Sequence, residues 1–185
     1  MANEVQLTKV VTGKVRFSYL HVWEAVAIED GQDKKYSVSL IIPKGDKETL
    51  ARIKKAVAAA TEAGKAKIGG KIPANLKTPL RDGDVERPED ESYAGAYFLN
   101  ANCKTKPGVV DQNLNPILDQ DELYSGCFGR ASVTFYAFNT SGNKGIACGL
   151  NNIQKLKDGE PLGGRSTAES DFGGVPVGAE EDDLF

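Results

Sequence analysis

The run Arg130-Ala131-Ser132-Val133-Thr134-Phe135-Tyr136-Ala137-Phe138 holds the residue types with the most to offer chemically. At a strand's side-chain period of two, Ala131, Val133, Phe135 and Ala137 share one apolar face. Arg130, Ser132, Thr134, Tyr136 and Phe138 share the other. A face with a cation, two hydroxyls and two rings suits a ligand of phosphates and flat bases. Cations neutralise a phosphate backbone, and each stacked base contributes about 1–3 kcal/mol. Lys14, Arg16, Lys35, Lys104 and Lys144 add cations on or beside further strand-like segments. Trp23 follows a turn and is open between stacking and packing. Alternation assigns Tyr19 and Tyr36 to the core.

Other chemistries find little support. His21 is the lone histidine and sits among apolar and aromatic neighbours, which points to a structural role. Cys103, Cys127 and Cys148 form no CxxC pair and have no second histidine, so a zinc site is not expected. An odd number of widely spaced cysteines fits reduced thiols in a cytosolic compartment. Gly69-Gly70-Lys71 is not a phosphate loop, and no GxGxxG opens a helix. Asp82 and Asp84 could hold a metal, although a turn accounts for them more simply. The expectation is a binding protein with no catalytic residues, no cofactor and no metal.

The elements that must position these side chains are mostly strands. Val5 to Ile28 is strand-like with a turn signal at Gly13, and reads as one strand over Lys14–Tyr19 and a second over Val22–Ile28. Residues 29–33 make a polar hairpin loop, and Lys34–Ile42 is a third strand with Tyr36, Val38, Leu40 and Ile42 on its apolar face. Asp46 is an N-cap for a helix over Lys47–Ala63, with Leu50, Ile53, Val57 and Ala60 at helical spacing and Gly64 as the stop. Its outward Lys47, Arg52, Lys54 and Lys55 read as a solvated face. Residues 65–94 form a long irregular insertion. Tyr97–Lys104 is a strand, and a polar connection over Val109–Tyr124 leads to the final pair, Arg130–Phe138 and Ile146–Ile153, joined by a turn over Asn139–Gly145. This order suggests a mainly β (α+β) fold: a five-stranded Greek-key barrel of the OB type with one helix between strands 3 and 4.

Charge is segregated along the 185 residues. The chain's net −3 divides into +4 over residues 1–157 and −7 over 158–185. Within the body, Asp82, Asp84, Glu86, Glu89, Asp90 and Glu91 crowd into one short stretch. Ser166–Ala179 has no apolar periodicity and is expected to be disordered, so the chain divides into a domain over 1–160 and a flexible tail over 161–185. The tail ends Glu180-Glu181-Asp182-Asp183-Leu184-Phe185. Carboxylates followed by Leu and Phe suit a basic surface with a small apolar cleft, either on a partner protein or on the chain's own cationic groove. No 18-residue apolar run marks a membrane span, and no signal peptide is visible.

Five ordered blocks carry a resemblance: TGKVRFSY at 12–19, KYSVSLIIPK at 35–44, PLRDGD at 79–84, YSGCFGR at 124–130 and NKGIACGLNNIQKLKDGEPLGG at 143–164. Together they resemble a family of tailed-phage single-stranded-DNA-binding proteins, first catalogued as a domain of unknown function. The ending EEDDLF is similar in kind to the acidic, Phe-terminated tails of bacterial and phage single-strand-binding proteins, which recruit replication and repair partners. The resemblance implies an OB fold, sequence-independent binding of single-stranded DNA, no catalysis, and a place in the host cytoplasm. It leaves homo-oligomerisation open. The competing expectation is a virion interaction or structural protein built on the same barrel.

Overall fold

The computed structural model describes residues 7–27, 31, 33–72, 76–140 and 143–162. The expected linker Ser166–Ala179, the tail segment Glu180–Phe185 and most of the hairpin loop over 29–33 lie outside the described residues. The strands are β1 (Lys9–Val11), β2 (Val15–Val26), β3 (Lys35–Pro43), β4 (Leu80–Asp82), β5 (Ala96–Cys103), β6 (Gly108–Val110), β7 (Phe128–Thr140) and β8 (Asn143–Lys157). Helix α1 spans Lys47–Ala63 and a short α2 spans Gly83–Glu86.

Five strands close a circuit. β2 pairs antiparallel with β3 and with β7, β3 pairs antiparallel with β5, β5 meets β8 in parallel, and β8 returns to β7. This is the Greek-key barrel expected of an OB fold. Three strands precede the helix in chain order, but β1 lies outside the circuit as an edge strand on β7. Within the barrel, α1 therefore connects the second and third strands. The two strands expected over Lys14–Tyr19 and Val22–Ile28 are one strand, β2, whose pairing with β3 shifts register between Ser18 and His21. Tyr19 sits in that irregularity with φ 46°.

The barrel interior is aliphatic and aromatic. Val15, Phe17, Val38, Leu40, Ile42, Leu99, Ala101, Val133, Phe135, Cys148 and Leu150 are all buried in one cluster. Burial alternates along β7 as the sequence predicts, with Ala131, Val133, Phe135 and Ala137 inside. Helix α1 adds Leu50, Ile53, Ala56 and Ala60 to the same core; Val57 is only half-buried. Its start is fixed by Asp46, whose carboxylate accepts from the Thr49 amide at 3.1 Å, and by the Gly13 amide donating to Thr49 Oγ1 at 3.0 Å. Its end rests on β7, where a Cβ on Gly64 would fall 2.2 Å from Ala137 Cβ. The helix thus spans from the β1–β2 turn to the far part of β7.

The β7–β8 hairpin is longer than expected. Pairing continues through Asn139↔Lys144 to Thr140↔Asn143, so five of the seven residues expected in the turn are paired, and 141–142 lie outside the described residues. The 65–94 insertion is also more ordered than a loop. Lys77 bridges to Gly145 on β8, β4 pairs with β5, and Tyr93 is buried with Ile41, Ala96 and Phe98 in a second cluster on the outside of β3 and β5.

Candidate nucleic-acid interface

The registers carry one line of outward positions across the whole circuit. His21 on β2 faces Ser37 on β3, Ser37 faces Asn102 on β5, Asn102 meets Gly149 on β8, and Gly149 faces Thr134 on β7. Residues directly opposite in a ladder point to the same side, so these small and polar groups form a continuous band. Around its β2–β3–β5 part is a groove of about 570 Å³ lined by Tyr19, His21, Ser37, Ser39, Arg87, Asn100 and Asn102 among others. The Ser37 hydroxyl and the Asn100 and Asn102 amides there can donate to phosphate oxygens, contacts that select no base, while Ser39 is buried. On β7 the band meets the face singled out in the sequence. Asn151 Nδ2 donates to Thr134 Oγ1 at 2.9 Å and to Ser132 Oγ at 3.4 Å, which fixes both hydroxyls.

Tyr136 is next along that face and is 45% exposed. Its ring lies against Gly149, where a Cβ would sit 3.4 Å from Tyr136 Cε1. A flat aromatic resting on backbone with its outer side open is suited to stacking. Phe138 is more covered. Its ring lies on Gly145, and a Cβ there would approach it to 2.8 Å and Lys77 O to 2.7 Å, so the close pairing of the 77 segment requires glycine. Lys144, opposite Asn139, turns to the other side of the hairpin, towards Gly69.

The remaining cations separate into two groups. Lys35 lies two residues from Ser37 on the outward side of β3, and Lys104 is exposed just beyond the Tyr36↔Cys103 pair that ends the β3–β5 ladder. Both continue the groove towards the β2–β3 loop. Lys14, Arg16 and Arg130 gather at the opposite end of β7. The Lys14 ammonium and the Arg16 guanidinium lie 5.6 and 5.4 Å from the centre of the Phe128 ring, and Arg130 donates twice to Gln154 Oε1, at 2.9 and 2.5 Å. Arg16 also donates to the carbonyls of Gly126 (3.1 Å) and Glu160 (2.7 Å), which ties the chain after β8 to the barrel. Trp23 stands apart from both groups. Its indole N–H donates to Leu123 O at 3.0 Å, its ring packs partly on the core, and it lines a separate groove of about 250 Å³ with Lys106 and Leu118.

Sequence reasoning missed the β2–β3–β5 groove. Tyr19, assigned to the core by alternation, is 52% exposed because the β2 irregularity turns it outward. His21 is exposed as well, in the band and not in the interior. Three signals were nevertheless available: Ser37 and Ser39 on one strand, and Asn100 and Asn102 on the next, are period-two polar pairs on adjacent strands, and Arg87 is the single base within the acidic stretch.

The paired carboxylates have a structural use. Lys44 Nζ bridges Asp82 Oδ1 at 2.9 Å and Asp84 Oδ2 at 2.8 Å. Asp82 accepts from the Asp84 amide, and Asp84 accepts from the Gly95 amide, both at 3.0 Å. Lys44, and then the Gly95 N–H, hold the Asp84 carboxyl below its ordinary range. The two acids latch the insertion to the end of β3. Among the described residues, no group of three or more His, Cys, Asp or Glu could hold a metal ion, and no helix is long and apolar enough to cross a membrane.

The chain is similar to known phage proteins over nearly all of its length. Protein p50 of Acyrthosiphon pisum secondary endosymbiont phage 1 is 30% identical over 185 residues, covering 96% of this chain and 98% of that one. The structure of the single-stranded DNA-binding protein of bacteriophage Enc34 in complex with single-stranded DNA superposes with a TM-score of 0.71 at 28% identity, covering 84% and 90% of the two chains. The fold extends to gp2.5, the single-stranded DNA-binding protein of bacteriophage T7, at a TM-score of 0.55 and 15% identity over 92% and 98%. The model of the Enterobacter phage Enc34 single-stranded-DNA-binding protein matches residues 8–185, and the chain belongs to that family.

Proposed function

We propose that this protein binds single-stranded DNA without sequence preference, laying the strand across the outward band of the barrel, and does so without catalysis. The observation that carries the reading is the band itself. Registers align His21, Ser37, Asn102, Gly149 and Thr134 across five strands, and Tyr136 offers an open ring beside it. Lys35 and Lys104 neutralise phosphates at one margin, and Lys14, Arg16 and Arg130 at another. Phe138 lies beside the path beyond Tyr136, whereas Trp23, in its separate groove, and Lys144, turned to the other side of the hairpin, lie off it. A duplex presents its bases inward and gains nothing from a stacking ring, so the arrangement favours single strands.

In a phage-infected cell, such a protein would act in the host cytoplasm on strands exposed during replication, recombination or repair. The tail Glu180-Glu181-Asp182-Asp183-Leu184-Phe185 would recruit partner proteins, and the unit over 1–160 would hold the DNA. The test is fluorescence anisotropy of labelled oligo-dT and of a matching duplex at low and high salt, with intact protein and a version ending at Gly178. Salt-sensitive binding to the single strand, tighter without the tail, supports the proposal; log Kobs should fall against log salt with a slope of about −0.7 per phosphate neutralised. No binding by either version would favour a virion scaffold role.

A further inference from the structure

Arg87 occupies an unusual position. Its guanidinium carbon lies 5.2 Å from the centre of the Tyr19 ring, 5.0 Å from that of Tyr93 and 5.0 Å from that of Phe98. Its Nε is fully enclosed and has no hydrogen-bond partner among the described residues. Glu86, Glu89, Asp90 and Glu91 line the adjoining hollow with it, yet none of them forms an ion pair with Arg87 in the structure. Glu86 pairs instead with Arg81, at 2.7 Å. A cation surrounded by ring faces and paired with none of the nearby carboxylates retains donors for another anion. Arg87 also lines the β2–β3–β5 groove, next to Tyr19.

Tyr19 is the second part of the arrangement. It is a non-glycine residue at positive φ, held there by the β2 register shift, and about half of it is open to solvent. Backbone strain of this kind persists only where the surroundings enforce it. Here the surroundings include Arg87, which covers one side of the ring. Arg87 in turn is placed by the insertion, whose position is set by the Lys44 latch on Asp82 and Asp84 and by Tyr93, whose hydroxyl donates to Ser39 Oγ at 2.9 Å inside the second cluster.

We infer that Tyr19 and Arg87 form a one-nucleotide subsite at the end of the groove, with a base stacked on Tyr19 and its adjoining phosphate on Arg87. The inference rests on the proposed single-strand binding and assigns the insertion a part in it. Tyr93 and Phe98 hold the guanidinium in place, and the acids beyond it repel the backbone and end the path there.

The test uses the full-length protein with Tyr19→Ala, Tyr19→Phe, Arg87→Gln and Arg87→Lys, read by oligo-dT anisotropy across a salt series and by thermal melting. Tyr19→Ala should weaken binding about ten-fold or more with an unchanged salt slope, while Tyr19→Phe stays near wild type. Arg87→Gln should weaken binding and reduce the slope by about 0.7, the share of one phosphate. Arg87→Lys should keep the slope and lose affinity, since a lysine cannot stack as a guanidinium does. If Arg87→Gln proves poorly folded, the exposed Tyr19 pair still decides. Wild-type binding with both Tyr19 variants unaffected would overturn the subsite and leave single-strand binding standing. Failure of the wild-type protein to bind would remove both.

Discussion

Variants of Tyr136 can separate the proposed binding role from folding, because its ring is partly covered and partly open. At 45% exposure just over half of the residue is covered, with Gly149 of β8 against its ring. A fully buried tyrosine covers 150–250 Å², so the covered part here is about 100 Å². At roughly 25 cal/mol/Å² that is about 2.5 kcal/mol, an upper value because the unfolded chain already shields some of it. Tyr136→Ala should therefore lower the melting temperature by up to about 10 °C, at about 2–4 °C per kcal/mol for a chain of this size. Tyr136→Leu keeps most of the apolar contact and should cost under about 1.5 kcal/mol. Both variants lose the ring, and with it about 1–3 kcal/mol of stacking, or about 5- to 150-fold in Kd. Tyr136→Phe retains the ring and should bind oligo-dT nearly as well as wild type. Anisotropy and melting curves on the three variants form the assay. If Leu restored affinity along with stability, the ring would be a packing residue and the stacking argument would fail.

Three further outcomes follow from particular contacts. Gly126 has φ 119° and a Cβ there would fall 2.1 Å from Glu160 O, so Gly126→Ala should cost about 2 kcal/mol or more, read as a lower melting temperature. Asp84 is depressed in the folded state, so its contribution is present above the ordinary aspartate value of about 3.9 and disappears as pH falls through the folded value. The melting gap between wild type and Asp84→Asn should accordingly be open at pH 7 and close in acid; an equal gap at both pH values would contradict the latch. Burial pushes the Cys148 thiol strongly up, desolvation raises Cys103 less, and Cys127 is buried. A thiol reagent at pH 8 should leave Cys127 and Cys148 unmodified in the folded protein and titrate all three cysteines after denaturation.

The parts legible in the sequence were those set by local rules. Helix α1 starts and ends where Asp46 and Gly64 indicated, because capping and a 3.6-residue period act within a few residues. The β7 face was legible for the same reason: the two register shifts in its pairing with β8 fall at Asn151 and Leu156 on β8, so β7 itself keeps strict alternation. Tyr19 was misplaced because one register shift in β2 inverts the pattern, and no residue type announces it. The band across the barrel was not visible either. Asn102 meets Gly149 and His21 meets Ser37 only through long-range pairings that no local period encodes. The insertion read as irregular because its order comes from outside itself, through Lys44, Ser39 and Gly145.

Hydrogen–deuterium exchange of the intact protein with and without saturating oligo-dT tests the central claim most directly. The account predicts slower exchange along β3, β5 and the facing parts of β7 and β8, around Ser37, Asn102, Gly149 and Tyr136. Protection confined to the Trp23 groove or to the outer face of α1, with the band unchanged, would contradict it.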